Sequence, residues 1–339
     1  MLRFLLQRLA WSLVVLLGLS LIIFLIARVV PGDPARMALG PRAPEEVIQR
    51  LRQELHLNEP LHIQYAYWIK GAIQGDFGKS LMTKRPVTMD LRDFLPNTIE
   101  LVLFAGIFQA LMGLVLGIVG ATHSDRWPDV AIRVLGYVGV ATPSFVFAVF
   151  LLLVFGYWWP LLPTIGGRLS PGLQVHSVTG LLTLDSLLTG NFRAFYDSMA
   201  HLALPAIALA IGGMAQEARI TRSSMLDNMG KDYVLMSRAQ GVPRRLIMSR
   251  YLLKPSVIPT VSIMGLDFAS LFGNAFLVEL VFNWPGVSRY GIMSMLRKDL
   301  NATCAVVLVI GAVFILTNIL VDLVVSFLDP RIRLGAHSS

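Results

Sequence analysis

Residues 232–254 read DYVLMSRAQGVPRRLIMSRYLLK and lie between two long apolar runs. Their charge is one-sided: Arg238, Arg244, Arg245, Arg250 and Lys254 stand against Asp232. Tyr233, Leu235, Met236 and Ala239 suit a short helix along a membrane surface, and Gly241-Val242-Pro243 breaks it. A second helix is expected over 244–253, with Arg244, Arg245 and Arg250 as cationic contacts. The plain alternative is a basic loop that only holds topology. The functional one is a helix that docks on a partner, since a polar stretch of this length between two spans usually has something to touch.

The rest of the chain fixes the setting. Of 339 residues, 55% are hydrophobic and only 15% charged, against about 45–50% and about 25% in soluble domains. The excess falls in blocks long enough to cross about 30 Å of hydrocarbon, at 9–30, 98–121, 132–158, 200–218, 256–281 and 303–327. Backbone polar groups in lipid need internal partners, so these six spans are expected to be helices. The expected fold is therefore all-α and polytopic. Pro143, Pro205 and Pro259 fall near or inside the spans, where membrane helices tolerate proline.

The net charge of +8 fits a protein that obeys the positive-inside rule. The basic residues flank spans instead of forming one face, which argues against nucleic acid. The N-terminal apolar stretch is too long for a signal-peptide core, and PGDP (31–34) follows it in place of a small-x-small cleavage site, so it reads as a retained span. Cys304 alone permits neither an intrachain disulfide nor a cysteine metal cluster.

Basic residues place 219–254 in the cytoplasm. With six spans both termini are then cytoplasmic, in keeping with Arg3, Arg8, Arg331 and Arg333. The chain divides into an N-terminal span (1–30), an outer loop subdomain (31–97), a core of five spans with the coupling segment at 228–254 (98–329), and a cytoplasmic tail (330–339). Within the first outer loop, Pro44-Glu45-Glu46 opens a helix with Val47, Ile48, Leu51 and Leu55 on one face. A second helix is expected over 60–74. Trp158, Trp159 and Trp284 are read as interfacial aromatics at outer span ends.

Catalytic signatures are missing. GDFGKS (75–80) lacks the glycine five positions ahead of its Gly-Lys pair, where Ile73 stands, so it is no phosphate loop. No HExxH, GxSxG or paired-carboxylate pattern occurs. His56 and His62 have no recognised ligand spacing. The chain is expected to be no enzyme, with no metal site and no cofactor of its own. Inside the membrane, Asp267, Asn274 and Glu279 stand on the fifth span. A charge there costs about 2.5–3.5 kcal/mol on insertion scales, so it should face a cavity or a partner. Asp267 and Asn274 are about two turns apart and share a face. They are the candidate pathway residues, with Glu279 near the outer surface as a structural or gating group. Asp322 is expected to pair with Arg331, Arg333 or a neighbouring loop.

A set of short motifs runs in order through this frame: PGDP (31–34), GDFGKS (75–80), LPNTIEL (95–101), TPSF (142–145), HLALP (201–205), TRSSML (221–226), DYVLMSRAQG (232–241), VFNWPG (281–286) and DPRIR (329–333). On these residues the chain resembles the inner-membrane permeases of binding-protein-dependent ABC importers, in the dipeptide, oligopeptide and nickel branch. The resemblance implies the type I importer permease fold. It also implies a homologous second permease, two ABC ATPases that bind ATP and Mg, and a periplasmic solute-binding protein. Carried over by position, it makes Asp232, Tyr233, Arg238, Ala239, Gln240 and Gly241, with Arg244 and Arg245, the residues that meet the ATPase. The acidic-Ala-Ala triplet of the general importer pattern is replaced here by Leu235, Met236 and Ser237. Short peptides are the expected cargo, with a nickel or metallophore complex or glutathione as alternatives. An ion-coupled secondary transporter, with Asp267 and Glu279 as ion sites, is the reading from another class.

Overall fold

The computed structural model describes residues 2–29, 34–40, 42–54, 56–164 and 167–328. The motifs PGDP (all but Pro34) and DPRIR, the tail 330–339, and the arginines suggested for Asp322 fall outside them. The described residues form helices joined by turns and loops, with no strand among them beyond one isolated bridge between Lys79 and Pro86. In order the helices are α1 (Leu2–Val29), α2 (Pro34–Leu39), α3 (Glu45–Glu54), α4 (Leu61–Ile73), α5 (Val87–Thr122), α6 (Trp127–Ala141) and α7 (Ser144–Leu152). They continue with α8 (Leu182–Leu188), α9 (Phe192–Met229), α10 (Asp232–Ala239), α11 (Arg244–Leu246), α12 (Lys254–Val281), α13 (Val287–Leu296) and α14 (Leu300–Leu328). Wider π turns extend α7 over Leu153–Trp158 and join α11 to α12 over Ile247–Leu253.

Among the described residues, five helices are long and apolar enough to cross a membrane, and α6 with α7 make a sixth if the bent pair counts as one span. That pair turns through 109°, which corrects the expectation of one straight helix over 132–158. Pro143 is the cause. Its ring disfavours helical backbone at the residue before it, and Thr142 is extended at φ −100°, ψ 125°. Pro205 and Pro259, by contrast, sit inside unbroken helices. Helices α5 and α9 also outrun their apolar runs. The 36 residues of α5 and 38 of α9 reach on the order of 55 Å, well beyond the hydrocarbon.

The chain forms two compact units. The first combines residues 1–97 with 285–315, and the second 98–284 with 316–339. In the first, α1 meets α4: Ser20 Oγ and Tyr65 OH lie 2.7 Å apart, and Phe24 packs edge-on to Tyr65. α14 approaches α1 so closely that a Cβ on Gly311 would stand 2.5 Å from Leu19 Cδ2. Two fully buried aspartates organise the loop between α4 and α5. Asp299 caps α14 by accepting from Ala302 N–H, and takes further bonds from Ser80 Oγ and Met82 N–H. Asp90 accepts from Tyr290 OH, Thr83 Oγ1 and Arg85. The GDFGKS stretch is therefore a turn pinned by its serine, in place of a phosphate loop. Asn97 donates to Pro285 O at 2.6 Å, which joins LPNTIEL to VFNWPG. Helices α3 and α4 stand where the loop pattern puts them. His56 stacks on Tyr67 at 3.9 Å.

In the second unit α9 is the axis, with α6, α7, α8 and α12 against it and α5 packed on it through Gly113, Gly117 and Gln109. The buried face of α9 includes the small residues Ala206, Ala208, Ala210, Ala215 and Ala218, which let membrane helices approach closely. Glycines do the same from the other side. A Cβ on Gly113 would stand 2.7 Å from Glu217 Cβ, and one on Gly139 2.8 Å from Ala215 Cβ. Trp158 and Trp159 are exposed, as interfacial aromatics should be, but Trp284 is only 2% exposed. It is a packing residue, and this corrects its reading as an interfacial one. It follows α12 through a turn in which its N–H donates to Glu279 O.

The end of this unit around α8 is held by two more buried acids. Glu100 accepts from Thr183 N–H and Oγ1 and pairs with Arg168. Asp185 accepts from Thr179 N–H, Thr179 Oγ1 and Gly180 N–H. Burial alone would push the Asp185 carboxyl up, but these bonds outweigh it and hold the group below the usual carboxylate range. A depressed folded pKa stabilises at pH above the unfolded value of about 3.9, and that stability is lost as pH falls through the folded value. Hydrogen exchange of 179–189 should accordingly stay slow from neutral pH down to about pH 4 and rise only in stronger acid. Asp185→Asn, which loses charge-assisted bonds worth about 1.5–3 kcal/mol each, should exchange fast at every pH. A variant as protected as the parent would remove the carboxylate from this account.

Candidate functional site

The segment between α9 and α12 folds as a short helix, a turn and a second helix. Asp232 supplies negative charge to the first turn of α10, where the helix dipole favours it. Val234 and Ser237 face inward, and Val234 packs in a cluster with Ala121, Met225, Ile247 and Leu252. Asp232, Tyr233, Arg238, Ala239 and Gln240 are exposed, as are Gly241, Arg244 and Arg245. The structure thus leaves every residue assigned to the ATPase contact free to meet one.

Gly241 ends α10 at φ +72°, in the left-handed region that favours glycine. Its N–H donates to Arg238 O, and Val242 N–H reaches back to Ser237 O. These two bonds form a complete Schellman cap, with Val242 packed on the apolar cluster beside it. A Cβ at Gly241 would meet open space, so the glycine is needed for its backbone and not for room. Residues 244–281 then run as one helix that passes through the π turns. The second helix, expected over 244–253, is therefore the beginning of the fifth span.

Polar side chains tie α10 to both neighbouring spans. Tyr233 OH donates to Asn228 Oδ1 at 2.9 Å, and Asn228 Nδ2 donates to Ser256 Oγ at 3.1 Å. Thr221 and Thr260 meet one level further in, at 2.9 Å. Tyr233, Asn228 and Ser256 thereby connect α10, α9 and α12.

The pathway candidates do not share one environment. Asn274 is exposed, on a stripe of α12 with Ile258, Leu266, Ser270 and Leu277. Asp267 is half-buried, and its Oδ2 has no partner among the described residues. Glu279 is fully buried and accepts from Thr98 Oγ1, so it holds α12 to α5.

Several polar partners went unread in the sequence. Gln109 of α5 donates to Glu217 of α9 at 2.7 Å, both essentially buried. The pair is reciprocal: Gln109 lies over Gly213 and Glu217 over Gly113. Asp267 lies within electrostatic reach of Glu217. The signal available was an amide and an acid inside or at the edge of apolar runs. Asp129 of α6 is fully buried and takes both Nε (2.5 Å) and Nη2 (2.8 Å) of Arg222 of α9. No group of three or more potential metal-ligating side chains occurs among the described residues.

Comparison with known proteins places the chain among relatives. Residues 113–334 match the family described as binding-protein-dependent transport system inner membrane component, and residues 1–102 match the N-terminal component of the same systems. The chain is 37% identical to the probable D,D-dipeptide transport system permease protein DdpB of Escherichia coli K12, over 97% of each chain. It is 36% identical to the dipeptide transport system permease protein DppB of Alkalihalophilus pseudofirmus, over 98% of this chain and 100% of the relative. It is 34% identical to the glutathione transport system permease protein GsiC of Salmonella typhimurium, over 98% and 99%.

Proposed function

We infer the role of this chain from the family to which it belongs, the binding-protein-dependent transport system inner membrane components: it is a permease subunit of an ABC importer. It is a multi-pass inner-membrane protein and does no catalysis itself. The family match over most of the chain carries this conclusion, and it leaves the ion-gradient alternative without support.

The finer reading is a proposal. Short peptides are the cargo, in line with the dipeptide names of the two relatives with the higher identities; glutathione, from the third, is the alternative. The segment 219–254 and both termini lie in the cytoplasm. The working assembly adds a homologous permease, two ATPases that hold ATP and Mg, and a periplasmic solute-binding protein. ATPase closure pushes α10 through Tyr233, Arg238 and the Gly241 turn. The Tyr233–Asn228–Ser256 chain passes that push to α9 and α12, and the two access states exchange populations. The exposed stripe of α12, with Ser270 and Asn274, faces the translocation path, and Asp267 borders it. Glu279 serves as a fixed outer anchor of that helix.

Gentle extraction of the tagged chain from native membranes, followed by mass spectrometry, tests the assembly. Two ATPases and a homologous six-span subunit should accompany it; a chain recovered alone would defeat the proposal. Competition of labelled dipeptide uptake by unlabelled dipeptide against glutathione then decides the cargo. Gly241→Val forces a β-branched residue into left-handed backbone at about 1–2 kcal/mol. Together with Arg238→Glu it should lower uptake roughly five- to hundredfold while the protein still inserts. Full uptake at normal expression would mean that α10 is not the lever.

A further inference from the structure

Beside the coupling segment the second unit contains a cleft of about 640 Å³. Its wall is apolar, with Ile118 of α5, Met225 of α9, and Met248 and Leu253 of the π turns, while Arg244 and Arg245 stand at its edge. We propose that this cleft binds an anionic phospholipid, with its phosphate on the two arginines and an acyl chain along the apolar wall.

Charge and position both favour this occupant. Arg244 and Arg245 are exposed and form no salt bridge with any described residue. Guanidinium groups bind phosphate oxygens through paired donors. The arginines open the 244–281 span, and Thr122 at the other wall closes α5. The cleft therefore lies where two apolar spans end, with charge at the rim and hydrocarbon-compatible side chains within. Basic pockets at the cytoplasmic ends of membrane helices are known to take anionic headgroups. Met248, partly exposed in the lining, can adapt to a flexible chain. The exposed face of α10, with Tyr233, Met236 and Arg238, contributes nothing to the lining, so a partner seated on that face leaves the apolar wall of the cleft uncovered. The π turns over Ile247–Leu253 widen the backbone here, and such turns gather at functional sites.

The site needs the chain to sit in a membrane, but not any particular cargo, so a failed uptake assay leaves it standing. The test uses the assembled transporter. Native mass spectrometry counts retained phosphatidylglycerol, and thermal unfolding is compared in phosphatidylcholine vesicles with and without phosphatidylglycerol. The parent should retain the anionic lipid and melt higher in its presence. Arg244→Gln with Arg245→Gln should weaken binding roughly thirtyfold. Met248→Trp, which fills the slot and keeps both charges, should weaken it too. An equal shift from phosphatidylcholine, or from inorganic phosphate alone, would overturn the proposal. So would full lipid retention in the double variant while the ATPases are lost, because the arginines would then serve the ATPases. Should a variant fail to assemble, the parent still decides: glycerophosphoglycerol, the headgroup without its chains, should compete poorly, and equal competition would refute an acyl slot.

Discussion

Arg222→Met should destabilise the second unit by about 3–5 kcal/mol, read as a lower melting temperature of the purified protein in detergent. The Asp129 carboxylate is fully buried, and both its oxygens take bonds from the Arg222 guanidinium. Without that partner it keeps only Asp125 N–H at 3.0 Å and Arg133 at 3.7 Å. Removing one member of a buried pair leaves an uncompensated charge, and the cost of that is about 3–5 kcal/mol. Replacing both members by apolar residues removes the charge along with its partner, and is often near neutral. The double variant Asp129→Leu, Arg222→Met should therefore melt closer to the parent than Arg222→Met alone. A single variant that melts with the parent would show that the pair contributes nothing.

Gly117→Ala should also be harmful, although alanine is the better helix former. The gain in helix propensity is about 1 kcal/mol. Against it, the new Cβ would lie 2.4 Å from Thr221 Cβ and 2.8 Å from the Ala218 carbonyl oxygen. Backbone cannot rotate out of the way, and overpacking of this kind costs about 1–3 kcal/mol or more. The clash wins, and Gly117→Leu should prevent stable assembly of α5 on α9. Gly120 and Gly18 are the internal controls. A Cβ at Gly120 first meets Arg222 Cδ at 3.3 Å, a contact that a small shift relieves, and one at Gly18 meets nothing within 4 Å. Both should accept alanine with a change near zero or a slight rise in melting temperature. If Gly117→Ala behaved like Gly18→Ala, the close approach of α5 and α9 would be wrong.

How much of this was legible in the sequence differs from element to element. The spans were, because a run of apolar side chains has few alternatives to crossing the bilayer. Their ends were not. Residues 87–97 are too polar to count as membrane, yet they extend α5 outward, since a helix is limited by its hydrogen-bond caps and not by its hydropathy. Gly241 was read correctly as a break, because the turn it makes is local. The bend at Pro143 was missed, since Pro205 and Pro259 lie in unbroken helices and the residue alone does not distinguish the cases. The motif strings were visible one by one, but their partners were not. Asn97 with Pro285 O, Asp129 with Arg222, and Ser80 with Asp299 each join residues far apart in the chain.

The sequence by itself determined that this is an all-helical membrane protein with a basic helix–glycine–helix segment ahead of its fifth span. Periodicity, hydropathy and turn chemistry are local properties, and they suffice for that. Only the tertiary structure decided which polar residues are anchors and which stay available. Glu279, Asp129 and Glu217 are buried against partners or glycines from other helices, whereas Asn274 and Arg238 are left exposed. A polar side chain in an apolar run must find a partner somewhere, and which helix brings that partner is settled by packing.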